Sequence, residues 1–342
     1  MLRALLTICL CLGFFTGCAG KSLRCMPPSY YAPEPTAPYR AEEVHMQTKE
    51  GHHLAGTITT PLHILAPFPA VVLISGSSPS DRDCMSSRDR ITKNYRPFFQ
   101  IADALSRRGL VVLRMDDRGV GCSKGGDIYD ATIHDRADDI KEGINFLRGL
   151  DKVDKTRIGL LGISEGGNIG PIIAASDPSI RALVIMAGTA INGWEILEYQ
   201  CRYEVNRNRK LSKRERNRIC SEKIEYWKKV EKENKRGRHF NYFLNYNPLK
   251  IARKVSCPVL ILHGNRDAAV PVQNALLLAK VMRENGNKDV TLEILKNHNH
   301  LFLKDPDGRI SHYVKLLENT NQISDEVLTM IADWFISRLN PR

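Results

Sequence analysis

The stretch that most constrains the fold is RIGLLGISEGGNIG, Arg157 to Gly170. A short apolar run, Ile158 to Ile163, leads through Gly162-Ile163-Ser164-Glu165-Gly166 into small residues that read as a helix. This is the G-x-S-x-G pattern in the setting it requires, strand then tight turn then helix. A serine there sits on strained backbone, and a side chain at either flanking glycine would collide with the strand or the helix. The turn lifts Oγ into the open at a helix N-terminus, where backbone N–H groups face developing negative charge. G-x-S-x-G also arises by chance in loops rich in Gly and Ser, so partners elsewhere in the chain must decide its meaning.

Around this stretch strands alternate with helices. Ala70–Ile74 is continuously apolar, the mark of a strand covered on both faces, and Leu110–Met115 and the apolar elbow run read as further buried strands. Ala182–Met186, Val259–His263 and Val290–Leu295 read as further strands, and Glu43–Thr60 as a hairpin turning at Glu50-Gly51. Helices are predicted over Phe98–Arg108, Asp138–Leu150, Val272–Asn285 and Glu326–Arg338. The fold class is therefore α/β, a mostly parallel sheet with helices on both faces. The alternation breaks near Ile191. Between Glu195 and Arg238 there are fifteen Lys/Arg against eight Asp/Glu and no strand-like run. This reads as a basic helical cap over the carboxyl edge of the sheet, with Trp194, Ile196, Leu197, Tyr203, Tyr226 and Trp227 as apolar anchors. The organisation is then a leader over 1–17, a Pro-rich extended tether over 18–42, core over 43–190, cap over 191–250 and core again over 251–342.

The leader has Arg3 and an apolar run from Ala4 to Phe15, too short for a membrane span and suited to a signal peptide. Phe15-Thr16-Gly17-Cys18 resembles a bacterial lipobox, with Phe15 where Leu is usual. Lipidation at Cys18 would tie the protein to the membrane of the cell envelope; ordinary secretion with a later cut is the alternative. Of nine cysteines, Cys25, Cys84, Cys122, Cys201, Cys220 and Cys257 would remain in the domain. Cys201 with Cys220 is the most local candidate disulfide, against a reading of all six as buried thiols. The net charge of +12 raises anionic partners. No zinc-finger, RNP-like or Arg/Gly signature accompanies it, and nucleic acid is not expected as a partner. The cap charge reads as solvated helix faces, or as a contact for anionic lipid or polysaccharide.

A serine hydroxyl needs a base, and the base is usually a histidine oriented by a carboxylate. In an open α/β sheet these groups lie just past strand ends. Asp267 follows the strand ending at His263, and His300 follows the strand ending at Leu295. The order Ser, Asp, His is that of the α/β-hydrolase arrangement. His298 competes with His300, while His263, at a strand end, reads as structural. Asp267 also has the reading of a helix cap. An oxyanion needs two donors, assigned to the backbone N–H groups of Glu165 and Ser77, with Ser78 as the alternative to Ser77. Gly119-Val120-Gly121 begins a dinucleotide-binding pattern, but Lys124 stands at its third glycine. No H-E-x-x-H occurs, and no metal or cofactor is expected.

Residues of about 68 to 190 and 255 to 303 resemble bacterial α/β-hydrolase fold esterases of the serine-aminopeptidase-like class, the EstD-type carboxylesterases. The matching stretches are Ser75-Gly76-Ser77-Ser78-Pro79-Ser80-Asp81-Arg82-Asp83, Arg114-Met115-Asp116-Asp117-Arg118-Gly119-Val120-Gly121-Cys122-Ser123, Gly162-Ile163-Ser164-Glu165-Gly166-Gly167 and Asn299-His300-Leu301-Phe302. The resemblance selects His300 over His298 and accounts for the false dinucleotide signal. It implies hydrolysis of a small-molecule acyl ester through an acyl-enzyme. The group usually has His where this chain has Ile163, and Gly where it has Ser78. A peptidase, a thioesterase or a non-catalytic envelope binding protein are the other functions the sequence allows.

Overall fold

The computed structural model describes residues 23–62, 65–85 and 95–339; the leader and Cys18 lie outside them. The strands are β1 (Tyr39–Gln47), β2 (His53–Pro61), β3 (Phe68–Ile74), β4 (Val111–Met115), β5 (Val153–Ile163), β6 (Ile180–Met186), β7 (Val259–Gly264) and β8 (Val290–Leu295). The helices are α1 (Pro97–Ser106), α2 (Ile133–Arg148), α3 (Gly166–Ser176), α4 (Gly193–Arg207), α5 (Lys213–Lys232), α6 (Gly237–Asn245), α7 (Leu249–Ala252), α8 (Gln273–Glu284), α9 (Tyr313–Asn319) and α10 (Asp325–Leu339). One sheet runs β1-β2-β4-β3-β5-β6-β7-β8. β2 is antiparallel to both β1 and β4; every later pair is parallel. The strand order reverses beside β3, so the ends of β3 and β5 open onto a crevice, the usual place for a site in such a sheet.

The apolar runs explain the layering. In β3, Ala70, Val72 and Ile74 face a core shared with α2, α3 and α8, while Val71 and Leu73 face one shared with α1 and α10. A strand buried on both faces cannot alternate polar with apolar residues, and these do not. The segment between β6 and β7 contains no strand. Its helices bury Ile196, Leu197, Trp227, Phe240 and Leu244 in a small cluster with Val270 of the loop after β7, while the neighbouring Tyr226 is 58% exposed.

One expectation fails, and one open alternative is decided. The segment before β1 does not stand off as an extended tether over the residues described. Cys25 is disulfide-bonded to Cys122, and Tyr31 is buried with the Arg82 guanidinium 4.4 Å from its ring centre. Arg114 Nη2 and Arg96 Nη2 donate to the carbonyls of Tyr31 and Tyr30 at 3.2 and 2.7 Å. Buried guanidinium groups need acceptors, and this segment supplies them. Cys201 and Cys220, the candidate pair, are free thiols that share a small apolar cluster between α4 and α5. Cys25–Cys122 was out of reach because the two lie 97 positions apart.

The loop after β4 does most of the organising. Asp116 accepts from Arg82 N, Nε and Nη2 at 2.7, 3.1 and 2.8 Å, and from Cys122 N at 2.9 Å. Gly121, at φ 57°, is glycine because a Cβ there would meet the Asp116 carboxylate at 2.7 Å. Asp117 accepts from Ser75 Oγ at 2.8 Å and Ser80 N at 3.0 Å. The two carboxylates thus hold the loop that follows β3. Both Arg82 and Asp116 are buried, and removing one partner leaves the other as an unpaired buried charge. Asp116→Ala is expected to lower unfolding stability by about 3–5 kcal/mol, read as a fall in the urea midpoint, whereas a paired apolar replacement of Arg82 and Asp116 should recover much of it.

Candidate active site

Ser164 occupies the turn between β5 and α3 at φ 55°, in the left-handed region that a non-glycine residue rarely adopts. Its N–H donates to Met186 O at 2.8 Å, so the end of β6 holds the strained turn. The flanking glycines are required by contact. A Cβ on Gly162 would strike the Gly166 carbonyl, and one on Gly166 would strike the carbonyls of Ile74 and Ser75. The elbow is therefore pressed against the end of β3. Gly76 follows, near enough that an added Cβ would lie 3.4 Å from Ser164 Cβ.

His300 and Asp267 meet. His300 Nδ1 lies 2.7 Å from Asp267 Oδ2, and both residues are buried. Asp267 Oδ1 accepts the N–H groups of Ala269 and Val270, each at 2.8 Å, so the residue shapes its own loop as well as holding the imidazole. Tyr199 OH, from α4, donates to the Asp267 carbonyl at 2.8 Å. His263 Nε2 stands 3.3 Å from Asp267 Oδ2 and 3.0 Å from Val270 O, a contribution that the sequence reading assigned only to structure. Burial pushes the Asp267 carboxyl up, but His300 and His263 outweigh it and hold it well below the usual carboxylate range. Asn299 orients the His300 loop by accepting from the N–H groups of Leu301 and Leu303 at 2.9 and 3.2 Å. His298 is directed elsewhere, to Ser324 Oγ at 2.8 Å and Lys296 O at 3.0 Å.

Ser164, His300 and Ser77 line two adjoining cavities. One, of about 100 Å³, runs past Tyr95, Ile163 and Leu301. The other, of about 20 Å³, lies under the inserted helices and is bounded by Ile196, Gln200 and Phe243. Ser78 borders only the first. Among the described residues neither the Ser77 N–H nor the Glu165 N–H meets an acceptor. A larger concavity, of about 500 Å³, lies between the β1–β2 turn and α2 and contains none of these residues. Three side chains escaped the sequence reading. The Glu165 carboxylate is buried against Arg136 of α2 and His239 of α6. Nothing local signals this, since the three lie far apart in the chain.

A doubly covered sheet of this strand order, with its serine elbow, defines the α/β-hydrolase class. Residues 89–307 match the serine aminopeptidase S33 family, and the chain belongs to it. It is 28% identical over 289 residues to Esterase EstD of Thermotoga maritima, an alignment covering 83% of this chain and 65% of that protein. The chain thus spans just under two thirds of the length of that relative. An esterase of Pyrococcus furiosus superposes with a TM-score of 0.58 at 16% identity, covering 94% of this chain and 98% of its own. Est1E of Butyrivibrio proteoclasticus, solved with ferulic acid bound, gives 0.56 at 17% identity, covering 87% and 100%. These two likenesses establish the fold.

The depressed Asp267 carboxyl sets a pH dependence. A lowered folded value stabilises the protein fully above the ordinary unfolded value of about 3.9, and that stability is lost as pH falls from there through the folded value. Asp267→Asn is expected to flatten the acid branch of the stability curve, measured as urea midpoints from about pH 6 down to about pH 2.5.

Proposed function

We propose that this protein is a serine hydrolase that cleaves carboxylic esters of small molecules through an acyl-enzyme. The observation that carries the proposal is the buried 2.7 Å contact of His300 Nδ1 with Asp267 Oδ2, in the wall of the cavities that Ser164 lines. With Nδ1 committed to the carboxylate, proton exchange with Ser164 falls to Nε2. Ser164 Oγ attacks the acyl carbon while His300 takes its proton. The tetrahedral oxyanion is held by the N–H groups of Ser77 and Glu165, the latter at the N-terminus of α3. Collapse expels the alcohol, protonated by His300. Water, deprotonated by His300 in turn, releases the acid and restores Ser164. Asp267 keeps the tautomer and stabilises the imidazolium. Membership of the S33 family and the similarity to Esterase EstD support this class of reaction.

The family's name favours a second reading, in which the bond cleaved is an amide beside a free amino group. A screen of p-nitrophenyl esters of graded acyl length beside aminoacyl-nitroanilides separates the two. A fluorophosphonate probe is expected to label the protein, and Ser164→Ala to abolish both labelling and hydrolysis. Ester turnover retained by the Ala variant would falsify the role given to Ser164.

We further propose export and lipid attachment at Cys18, on the strength of the leader and of Phe15-Thr16-Gly17-Cys18. Expressed in a bacterium with labelled palmitate, the full chain should take up the label and fractionate with membranes, and Cys18→Ser should do neither. A wild type that takes up no label and fractionates away from membranes would leave ordinary secretion.

A further inference from the structure

Behind the nucleophile turn lies an ion cluster that the reaction steps above do not use. Arg136 Nη1 donates to Glu165 Oε2 at 2.7 Å. Its Nη2 donates to Ser75 Oγ at 2.9 Å, and to Ser75 O and Asp117 Oδ1 at 3.3 Å each. His239 Nε2 reaches the same Glu165 oxygen at 3.2 Å, an ion-pair distance off the alignment of a hydrogen bond. Its Nδ1 lies 2.8 Å from Ala131 O. All three side chains are more than nine-tenths buried.

The placement of the cluster matters more than its energy. A buried ion pair gives little net stability, because desolvation offsets the attraction. What a bidentate guanidinium supplies is geometry. Here one guanidinium joins Glu165, whose N–H follows the nucleophile, to Ser75, two residues before the Ser77 N–H. These are the two arms that carry the proposed oxyanion donors, and one reaches the site from β5 and the other from β3. His239 belongs to neither arm. It comes from α6, in the inserted helices, and fastens them to the same carboxylate.

We infer that Arg136 and His239 are positioning residues of the hydrolytic site: Arg136 holds the two oxyanion arms in register through Glu165 and Ser75, and His239 latches the helical insertion to that register. The inference rests on the serine-hydrolase reading. Oxyanion donors act only when pre-placed to within a few tenths of an ångström, so a looser register weakens the transition state more than substrate binding.

The latch is also sensitive to pH. Glu165 faces His239 from the elbow, and Arg136 opposes it from α2. The Ala131 carbonyl accepts from the loop before α2, and Tyr246, after α6, lies near Glu165. Arg136 in turn faces Asp117 and Asp139. Burial pushes the His239 imidazole down, but Glu165 outweighs it and holds it above the ordinary value. A raised value means that the imidazolium–carboxylate contact is complete below the ordinary histidine value of about 6.5, and is lost as pH rises through the folded value.

The test measures p-nitrophenyl acetate turnover per active site titrated with fluorophosphonate, together with the rate of that labelling. Arg136→Lys keeps the charge and loses the fork. It is expected to lower kcat and the labelling rate together by about tenfold to a hundredfold, short of the roughly 10²–10³ lost with a whole oxyanion donor, with KM nearly unchanged. Ser75→Ala, which removes one contact of the guanidinium together with the Ser75 Oγ–Asp117 bond and leaves the Arg136–Glu165 pair, should move both in the same direction by less, and serves if Arg136→Lys does not fold. His239→Gln, whose amide nitrogen takes the place of Nε2, can still donate to Glu165 but cannot titrate, and should remove the alkaline decline of the pH profile. Unchanged kcat and labelling rate per titrated site in Arg136→Lys, or in Ser75→Ala where that stands in, would overturn the role of Arg136. A His239→Gln profile superimposable on wild type would overturn the latch. Wild type left unlabelled at Ser164 would overturn the serine-hydrolase reading and this inference with it.

Discussion

The backbone of Gly166 lies against the carbonyls of Ile74 and Ser75 with no room for a single carbon between them. Much of the site depends on that contact. It fixes the distance between the ends of β3 and β5, and so between the loop that carries Ser77 and the turn that carries Ser164. Because the contact is between main chains, no side-chain rearrangement can substitute for it. The strain at Ser164 is held by the same packing, with its N–H bound to the end of β6.

Charge inside the molecule completes what close packing begins. Asp116 and Asp117 lie past β4, yet their acceptors are spent on the loop after β3, through Arg82, Ser75 and Ser80. Arg136 then ties Ser75 to Glu165. A chain of buried and half-buried hydrogen bonds thus runs from β4 through the β3 loop to the serine turn. Each group is expensive to bury alone and tolerable only with its partners, which gives the loop one arrangement rather than several.

The legible parts of the site are those in which chemistry and local backbone demand coincide. Gly162 and Gly166 mark the turn because a side chain cannot fit, and Asn299 marks the His300 loop because its amide caps the N–H groups after it. His300 and Asp267 could be placed because each follows a run that reads as a strand. Glu165, Arg136 and His239 gave no such mark. Their meaning is a mutual contact among residues far apart in the chain, and a lone Arg or His on a helix reads as solvated. The segment before β1 hides its contacts for a related reason. Its prolines describe an extended backbone, which it keeps in part, but its binding to the domain comes from guanidinium groups and a cysteine lying well beyond it in the sequence.

By itself the sequence determined the alternation of strands and helices, the doubly covered sheet, the serine turn and the chain order of Ser164, Asp267 and His300 at strand ends. All of these follow from periodicity, from glycine where a Cβ cannot exist, and from which residues stand at strand ends. The tertiary structure alone decided that Cys25 pairs with Cys122 while Cys201 and Cys220 remain thiols, and that the insertion is attached to the elbow through one carboxylate. Such pairings depend on where distant segments arrive in space. Local preference acts over a few residues and carries no information about that.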